Sequence, residues 1–375
     1  MQTFKGIPYC SRCFAITNGM LQRTLAPALP KSLLHLDYPL SEEQKRLSDK
    51  AVDNYKNGID TLLYAVCGSG KTEVSFGLID YGLRNGLKVG FGLPRRDVVI
   101  ELYERLKKAF PTKKVVAVYG GHARETDGDI IVLTTHQLFR YYQFFDMMVM
   151  DEVDAFPYAG NPILERNFHL ALKGHCLLMS ATPSVALVKE YREKGHDIMI
   201  MHTRFHNKPI PVPKALYIHG PNRYRFLFRK LSQYKKEKKP TFIFVPTVEK
   251  AERLYRVLSS SMTNGEYVTS KREGREKIID DFKQGKYDYL VTTAILERGV
   301  TVKNLNVIVF EAAHDIYDAA SLVQIAGRAG RKIDAPYGEV YFIADKETEP
   351  IRKAISEIAY CNTFLSGLQQ GDRRE

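Results

Sequence analysis

Ala65-Val66-Cys67-Gly68-Ser69-Gly70-Lys71-Thr72 is the stretch from which the rest of the sequence is read. The apolar run 61–66 in front of it predicts a buried strand, and 72–84 behind it predicts a helix. A strand, a glycine-bearing loop ending in Gly-Lys-Thr and a helix form the context in which a loop wraps a phosphate. Gly68 and Gly70 let the backbone curl, so that the N–H groups from Gly68 through Ser69 to Thr72 can converge on one anion. The start of the following helix adds partial positive charge. Lys71 suits the β- and γ-phosphates of a nucleotide, and the Thr72 hydroxyl suits Mg²⁺. The pattern usually opens on glycine, where this chain has Ala65.

The chain has 375 residues, 44% of them hydrophobic and 26% charged, which predicts two or three globular domains. It contains no apolar run of about 18 residues, so no membrane-spanning helix is expected. Lys plus Arg number 55 against 43 Asp plus Glu, a net charge of +12, which favours a polyanionic partner such as nucleic acid. The five cysteines are scattered, at 10, 13, 67, 176 and 361. They form no disulfide framework and point to a cytoplasmic setting.

Residues 1–36 are basic and free of acids, as a transit peptide would be. Cys10 and Cys13 argue for another reading, because Cys-x-x-Cys supplies half of a tetrahedral Zn²⁺ site. The other half is not visible, with only His35 in reach, so a zinc site and an unmetallated pair both stay open. Further on, Ser41 with Gln44 three residues later predicts a capping box opening a helix over 42–57. The Gln44 amide also has the donor and acceptor needed to read an adenine edge, with Tyr38 against the ring.

Strands predicted at 88–93, 114–119, 129–133, 147–150 and 176–179 alternate with helices, which specifies a doubly wound parallel α/β sheet. Asp151-Glu152 and Ser180-Ala181-Thr182 each follow a strand, so they should share the carboxyl edge with the phosphate loop. Prolines 209, 211 and 213 make 207–214 an extended linker. A second series of strands near 215–219, 241–245, 289–292 and 307–310 predicts another parallel-sheet domain, without a phosphate loop. It ends in Gln324-Ile325-Ala326-Gly327-Arg328-Ala329-Gly330-Arg331, whose two arginines could face one γ-phosphate. The expected organisation is an N-terminal segment 1–36, a nucleotide-binding lobe 37–206, a linker 207–214, a second lobe 215–348 and a C-terminal helix and tail 349–375. Ile351, Ile355 and Ile358 give that last helix an apolar face, to pack on the second lobe or to dock a partner.

This order of motifs resembles a superfamily 2 helicase or translocase over residues 36 to 345, with two RecA-like lobes in tandem and ATP between them. Leu93-Pro94-Arg95-Arg96-Asp97-Val98-Val99, Thr134-Thr135-His136-Gln137-Leu138 and Asp151-Glu152-Val153-Asp154-Ala155-Phe156-Pro157 sharpen the match. They are similar to the ComFA family of bacterial competence ATPases, relatives of the PriA helicases. The resemblance implies an ATP- and Mg²⁺-dependent motor that drives single-stranded DNA into the cytoplasm during natural transformation. Its members act at the inner face of the cell membrane with an uptake channel and the small partner ComFC. They also carry a four-cysteine zinc module, of which Cys10 and Cys13 match one pair.

Carried over by motif, Lys71 and the 68–72 amides hold the phosphates, Asp151 holds Mg²⁺ through water, and Glu152 deprotonates the attacking water. Gln44 reads adenine, and Arg328 and Arg331 reach the γ-phosphate with Gln324 beside them. Thr182 and Thr301 couple the nucleotide to the nucleic acid. Arg95, Arg96, Thr134, Thr135, Thr293 and Arg298 contact backbone phosphates, which carry no base information. Two other readings are a duplex-unwinding enzyme of the PriA kind and a non-catalytic adaptor that binds DNA and partner proteins. No insertion supplies a strand-separating wedge, and the catalytic set is intact, so translocation is the favoured expectation.

Overall fold

The structure is a computed structural model that describes residues 2–4, 7–9, 31–66, 68–296 and 300–371. Gln2–Phe4 (β1) and Ile7–Tyr9 (β2) pair antiparallel, with Thr3 opposite Pro8. The chain divides into two compact units, 1–65 with 70–201 and 66–69 with 202–375.

The sheet of the first unit is built from Thr61–Ala65 (β3), Val89–Leu93 (β4), Val115–Val118 (β5), Ile130–Thr134 (β6), Phe145–Met150 (β7), Leu172–Ser180 (β8) and Asp197–Met201 (β9). Their order is β5-β6-β4-β7-β8-β3-β9, and every neighbouring pair is parallel. Successive side chains point to opposite faces, so Leu63, Phe91, Val132 and Val149 enter one core while Leu62, Ile131, Met148 and Leu178 enter the other. Each fully buried aliphatic side chain contributes about 1.5–3 kcal/mol. Helices 42–56, 71–84 and 96–109 close the first face through Leu47, Val74 and Leu102, and helix 162–171 with Tyr191 closes the second through Phe168. A sheet buried on both faces needs the near-continuous apolar runs seen here.

The sheet of the second unit runs Lys214–Tyr217 (β10), Thr241–Phe244 (β11), Gly265–Val268 (β12), Tyr289–Thr292 (β13), Asn306–Phe310 (β14) and Val340–Ala344 (β15). The order is β10-β15-β14-β11-β13-β12, again all parallel. Two doubly wound parallel sheets in tandem are RecA-like lobes. The terminal helix Glu349–Gly371 packs on the second unit through Ile351, Ala354, Ile358 and Cys361. Asn362 fixes it there, with its Oδ1 accepting from the Ile210 N–H at 2.9 Å and its Nδ2 donating to the Ile210 carbonyl at 2.8 Å.

Five of the described helices start at a side-chain cap. Ser41, Asn161, Ser184, Thr247 and Asp318 each accept a backbone N–H of the first turn. Because the strands of each sheet are parallel, the loops after β3, β6, β7 and β8 leave from one edge. No helix of the described residues is long and apolar enough to cross a membrane.

Candidate nucleotide site and its surroundings

The loop after β3 turns through two left-handed glycines, Gly68 with φ 81° and Gly70 with φ 77°. The left-handed φ of Gly70 strains any other residue, and a Cβ there would stand 2.3 Å from Gln44 Nε2, which would have to shift. The contact has a use, because Gln44 Nε2 donates to the Gly70 carbonyl at 3.3 Å. The same side chain completes the expected capping box. Its Oε1 accepts the Ser41 N–H at 2.9 Å, and Ser41 Oγ accepts the Gln44 N–H at 3.2 Å. Gln44 therefore ties the helix 42–56 to the phosphate loop. Cys67 lies outside the described residues.

Lys71 opens the helix 71–84, and its Nζ lies 2.6 Å from Asp151 Oδ1. Asp151 directly follows β7, with its N–H bonded to the Gly92 carbonyl on β4 at 3.0 Å. The same Oδ1 accepts the Glu152 N–H at 2.7 Å, and Glu152 adopts a left-handed conformation with φ 56°. A non-glycine residue held there costs of order 1–3 kcal/mol, and such positions cluster at functional sites. Burial alone would lower the Lys71 pKa, but the carboxylates of Asp151, Glu152 and Asp154 outweigh it and hold the ammonium above its ordinary value. Burial pushes the Asp151 carboxyl up, with Lys71 opposing. Lys71 is thus a largely buried, fixed cation. Asp151 and the Thr72 hydroxyl are oxygen donors of the kind a hard divalent cation takes, so the residues present fit Mg²⁺.

Asp154 spans two loops. Its Oδ1 accepts from Ser180 Oγ at 2.6 Å and its Oδ2 from Thr182 Oγ1 at 2.9 Å, while Ser180 Oγ accepts the Thr182 N–H at 3.0 Å. Behind the loop, buried Glu73 accepts from the Tyr38 hydroxyl at 2.9 Å and pairs with Arg105. Burial and then the charge on Glu73 raise the Tyr38 pKa. Asp154, Glu73 and Arg105 are not among the sequence candidates. Asp154 sits in the quoted Asp151–Pro157 stretch and could have been found there, whereas Glu73 and Arg105, 32 residues apart, carry no spacing signal.

The expected nucleic-acid residues are placed less uniformly. Arg95 stands at the N-cap position of the helix 96–109 without a side-chain cap bond and is partly buried, and Arg96 is exposed, its guanidinium 5.0 Å from the centroid of Tyr119, which stacks on His122. Thr134 and Thr135 are buried, which leaves the two arginines the more accessible members of the set. In the second unit Thr293 is partly buried and Thr301 exposed, while Arg298 lies outside the described residues. Gln324 is buried. Arg328, 2% exposed, turns inward and donates to the Val300 carbonyl at 2.8 Å. Arg331 is more open, and its Nε donates to the Gly327 carbonyl at 2.9 Å. Cys10 and Cys13 lie outside the described residues, and among those described no three His, Cys, Asp or Glu side chains gather as a metal site.

Within the first unit, then, Lys71, Asp151 and Glu152 are bonded together, Asp154 and Thr182 form a second bonded pair whose carboxylate also acts on the Lys71 charge, and Gln44 is joined to the loop at Gly70. This arrangement can hold a nucleotide polyphosphate beside a carboxylate base. Comparison with known proteins agrees. Residues 45–190 match the DEAD/DEAH box helicase family, and 223–332 match the helicase conserved C-terminal domain. The structure is similar to that of Saccharomyces cerevisiae Dbp5 bound to RNA and ADP BeF3, with a TM-score of 0.64 at 16% identity, over 86% of this chain and 92% of that one. The sequence is 34% identical to competence protein ComFA of Streptococcus pneumoniae over 95% of this chain and 86% of the relative. It is also 34% identical to ComFA of Bacillus subtilis, over 90% and 75%. The Lys71–Asp151–Glu152 group therefore sits in a superfamily 2 helicase-type ATPase, and the chain belongs to the ComFA family of competence proteins.

Proposed function

We propose that this chain hydrolyses ATP to move along single-stranded DNA and so draws transforming DNA into the cytoplasm during natural competence. Its place of work on this reading is the cytoplasmic face of the cell membrane, with the uptake channel and ComFC as partners. The observation that carries the reading is the Lys71–Asp151 pair with Glu152 bonded to the same oxygen. In the proposed reaction a nucleotide phosphate takes the place of Asp151 as the partner of Lys71. Bound Mg²⁺, held by Asp151 and Thr72, would neutralise charge on the β- and γ-phosphates. Glu152 accepts a proton from water as its oxygen attacks the γ-phosphorus, and the bond to the β–γ bridging oxygen breaks to release ADP. Arg328 and Arg331 are proposed to stabilise the charge that develops on the transferring phosphoryl group. Asp154 passes the change to Thr182, and Arg95 and Arg96 hold backbone phosphates.

The net charge of +12 supports a nucleic-acid track, and backbone contacts would make binding independent of sequence. Zinc at Cys10 and Cys13 is also proposed, as half of a four-ligand set. Emission spectroscopy on purified protein checks it, and a trace amount of metal would remove zinc from the account. The central test is phosphate release with and without single-stranded DNA, run beside strand displacement on a forked duplex. Stimulation by single strands without displacement is expected. No stimulation would overturn the reading, and displacement would make the enzyme an unwinding one.

A further inference from the structure

Arg204 heads the largest fully buried side chains among the described residues, at 1% exposure. A buried guanidinium needs acceptors for its fixed fork of donors. Three of them lie in one turn. Nη1 donates to the carbonyls of Ala329 at 2.7 Å and Gly330 at 2.6 Å, and Nη2 donates to the Gly327 carbonyl at 3.1 Å. These carbonyls bracket Arg328 and immediately precede Arg331. They lie in the turn that follows helix 319–326, Gly327 at its C-cap and Ala329 and Gly330 beyond it.

His206 adds a second clamp. Its Nε2–H donates to the Gly330 carbonyl at 3.1 Å, and its Nδ1 accepts the Lys208 N–H at 3.1 Å, an assignment that fixes the neutral tautomer. Gly330 has φ 64°, and a Cβ on it would lie 2.3 Å from the Pro336 carbonyl oxygen. The turn is thus packed on one side and held by donors on the other. The Gly327 carbonyl is shared, accepting from Arg204 Nη2 and also from Arg331 Nε. Residues 204–206 fall in neither matched domain.

We infer that Arg204 is a positioning residue for the arginine pair. Its guanidinium fixes the carbonyl frame from which Arg331 leaves the turn, and with it the direction in which Arg331 is presented. The inference rests on the proposed role of Arg328 and Arg331 at the phosphate. A side-chain displacement of about 1 Å can cost on the order of 10²-fold in turnover. Arg204 also lies against the phosphate loop, its Nε 3.6 Å from where a Cβ on Gly68 would stand, so nucleotide binding is followed beside kcat, and a loss confined to kcat is the signature of the positioning role.

The test measures kcat and KM for ATP in the full chain with single-stranded DNA, together with thermal unfolding, for Arg204→Gln, Arg204→Lys and Arg331→Ala. Arg204→Gln is expected to lose on the order of 10²-fold in kcat with KM for ATP little changed. Lysine, which keeps the charge but not the three-carbonyl fork, should restore part of the loss. If Arg204→Gln does not fold, Arg204→Lys decides alone: lowered kcat at unchanged KM supports the inference, and wild-type kcat overturns it. Wild-type kcat in Arg204→Gln beside an inactive Arg331→Ala overturns the positioning role only. Full turnover in Arg331→Ala removes the underlying reading, and this inference with it.

Discussion

The Thr182 hydroxyl donates to Asp154 at 2.9 Å, joining the loop after β7 to the loop after β8. Asp154 stands three residues beyond Asp151, so a rearrangement around Lys71 has a short route to Thr182. A hydrogen bond to a charged group is worth about 1.5–3 kcal/mol. Thr182→Val keeps the shape and removes the donor. It should lower the ratio of DNA-stimulated to unstimulated ATP turnover, and Asp154→Asn should do the same. Residues that act as a unit give non-additive effects of about 0.5–3 kcal/mol, so the double variant should be little worse than either single one. Strictly additive losses would separate the two residues.

The Lys71–Asp151 pair predicts two separable effects. Lys71→Ala should abolish nucleotide binding, measured with labelled ATP. It should also lower the melting temperature, because it strands a buried carboxylate, a loss of about 3–5 kcal/mol where such pairs are broken. Adding Asp151→Asn should recover much of the stability and none of the binding. Binding that returns with stability would show that Lys71 is needed only for folding.

Glu152→Gln keeps the size of the side chain and removes its basicity. Nucleotide affinity should persist while single-turnover hydrolysis falls by about 10²–10⁴, the usual range for a general base. A rate within a few-fold of wild type would assign proton removal elsewhere.

His206 gives the second unit a pH dependence of known sign. Burial first, then the charges of Arg204 and Lys208, lower its pKa below the ordinary 6.5, with the Gly330 carbonyl opposing. As pH falls, the unfolded chain takes up this proton before the folded chain does. The stabilising contribution is therefore full above about 6.5 and is lost as pH falls through the lowered folded value. Amide exchange at Gly327–Arg331, corrected for intrinsic rate, should accelerate as pH falls from about 6.5 to the lowered folded value in wild type and less in His206→Asn. Equal acceleration in both would place the sensitivity in another group.

Much of this was readable because parallel strands buried on both faces must be apolar runs, and polar chemistry placed directly after such a run lands on the carboxyl edge. That logic located Lys71, Asp151, Glu152 and Thr182 together. It passed over β12, whose Gly-Glu-Tyr-Val is short and has two of its four residues only partly buried, and β9, which follows the unforeseen helix Val185–Glu193. It also passed over β15, although its five residues are all buried. Glu73–Arg105 and Arg204 were out of reach for another reason. A charge neutralised by a residue 32 positions away, or by backbone carbonyls more than 120 positions away, leaves no periodicity to read. Arg328 illustrates the same limit from the other side, since the sequence offers it and Arg331 as equals and the fold buries one of them.

Gln44 already spends its amide within the protein, the oxygen on Ser41 and the nitrogen on the Gly70 carbonyl. An amide carries two N–H donors and two oxygen lone pairs, so a purine read by it need not displace these bonds. They would instead hold the amide in one orientation before a nucleotide arrives, so that the cost of ordering the side chain is met by the fold and not by the ligand.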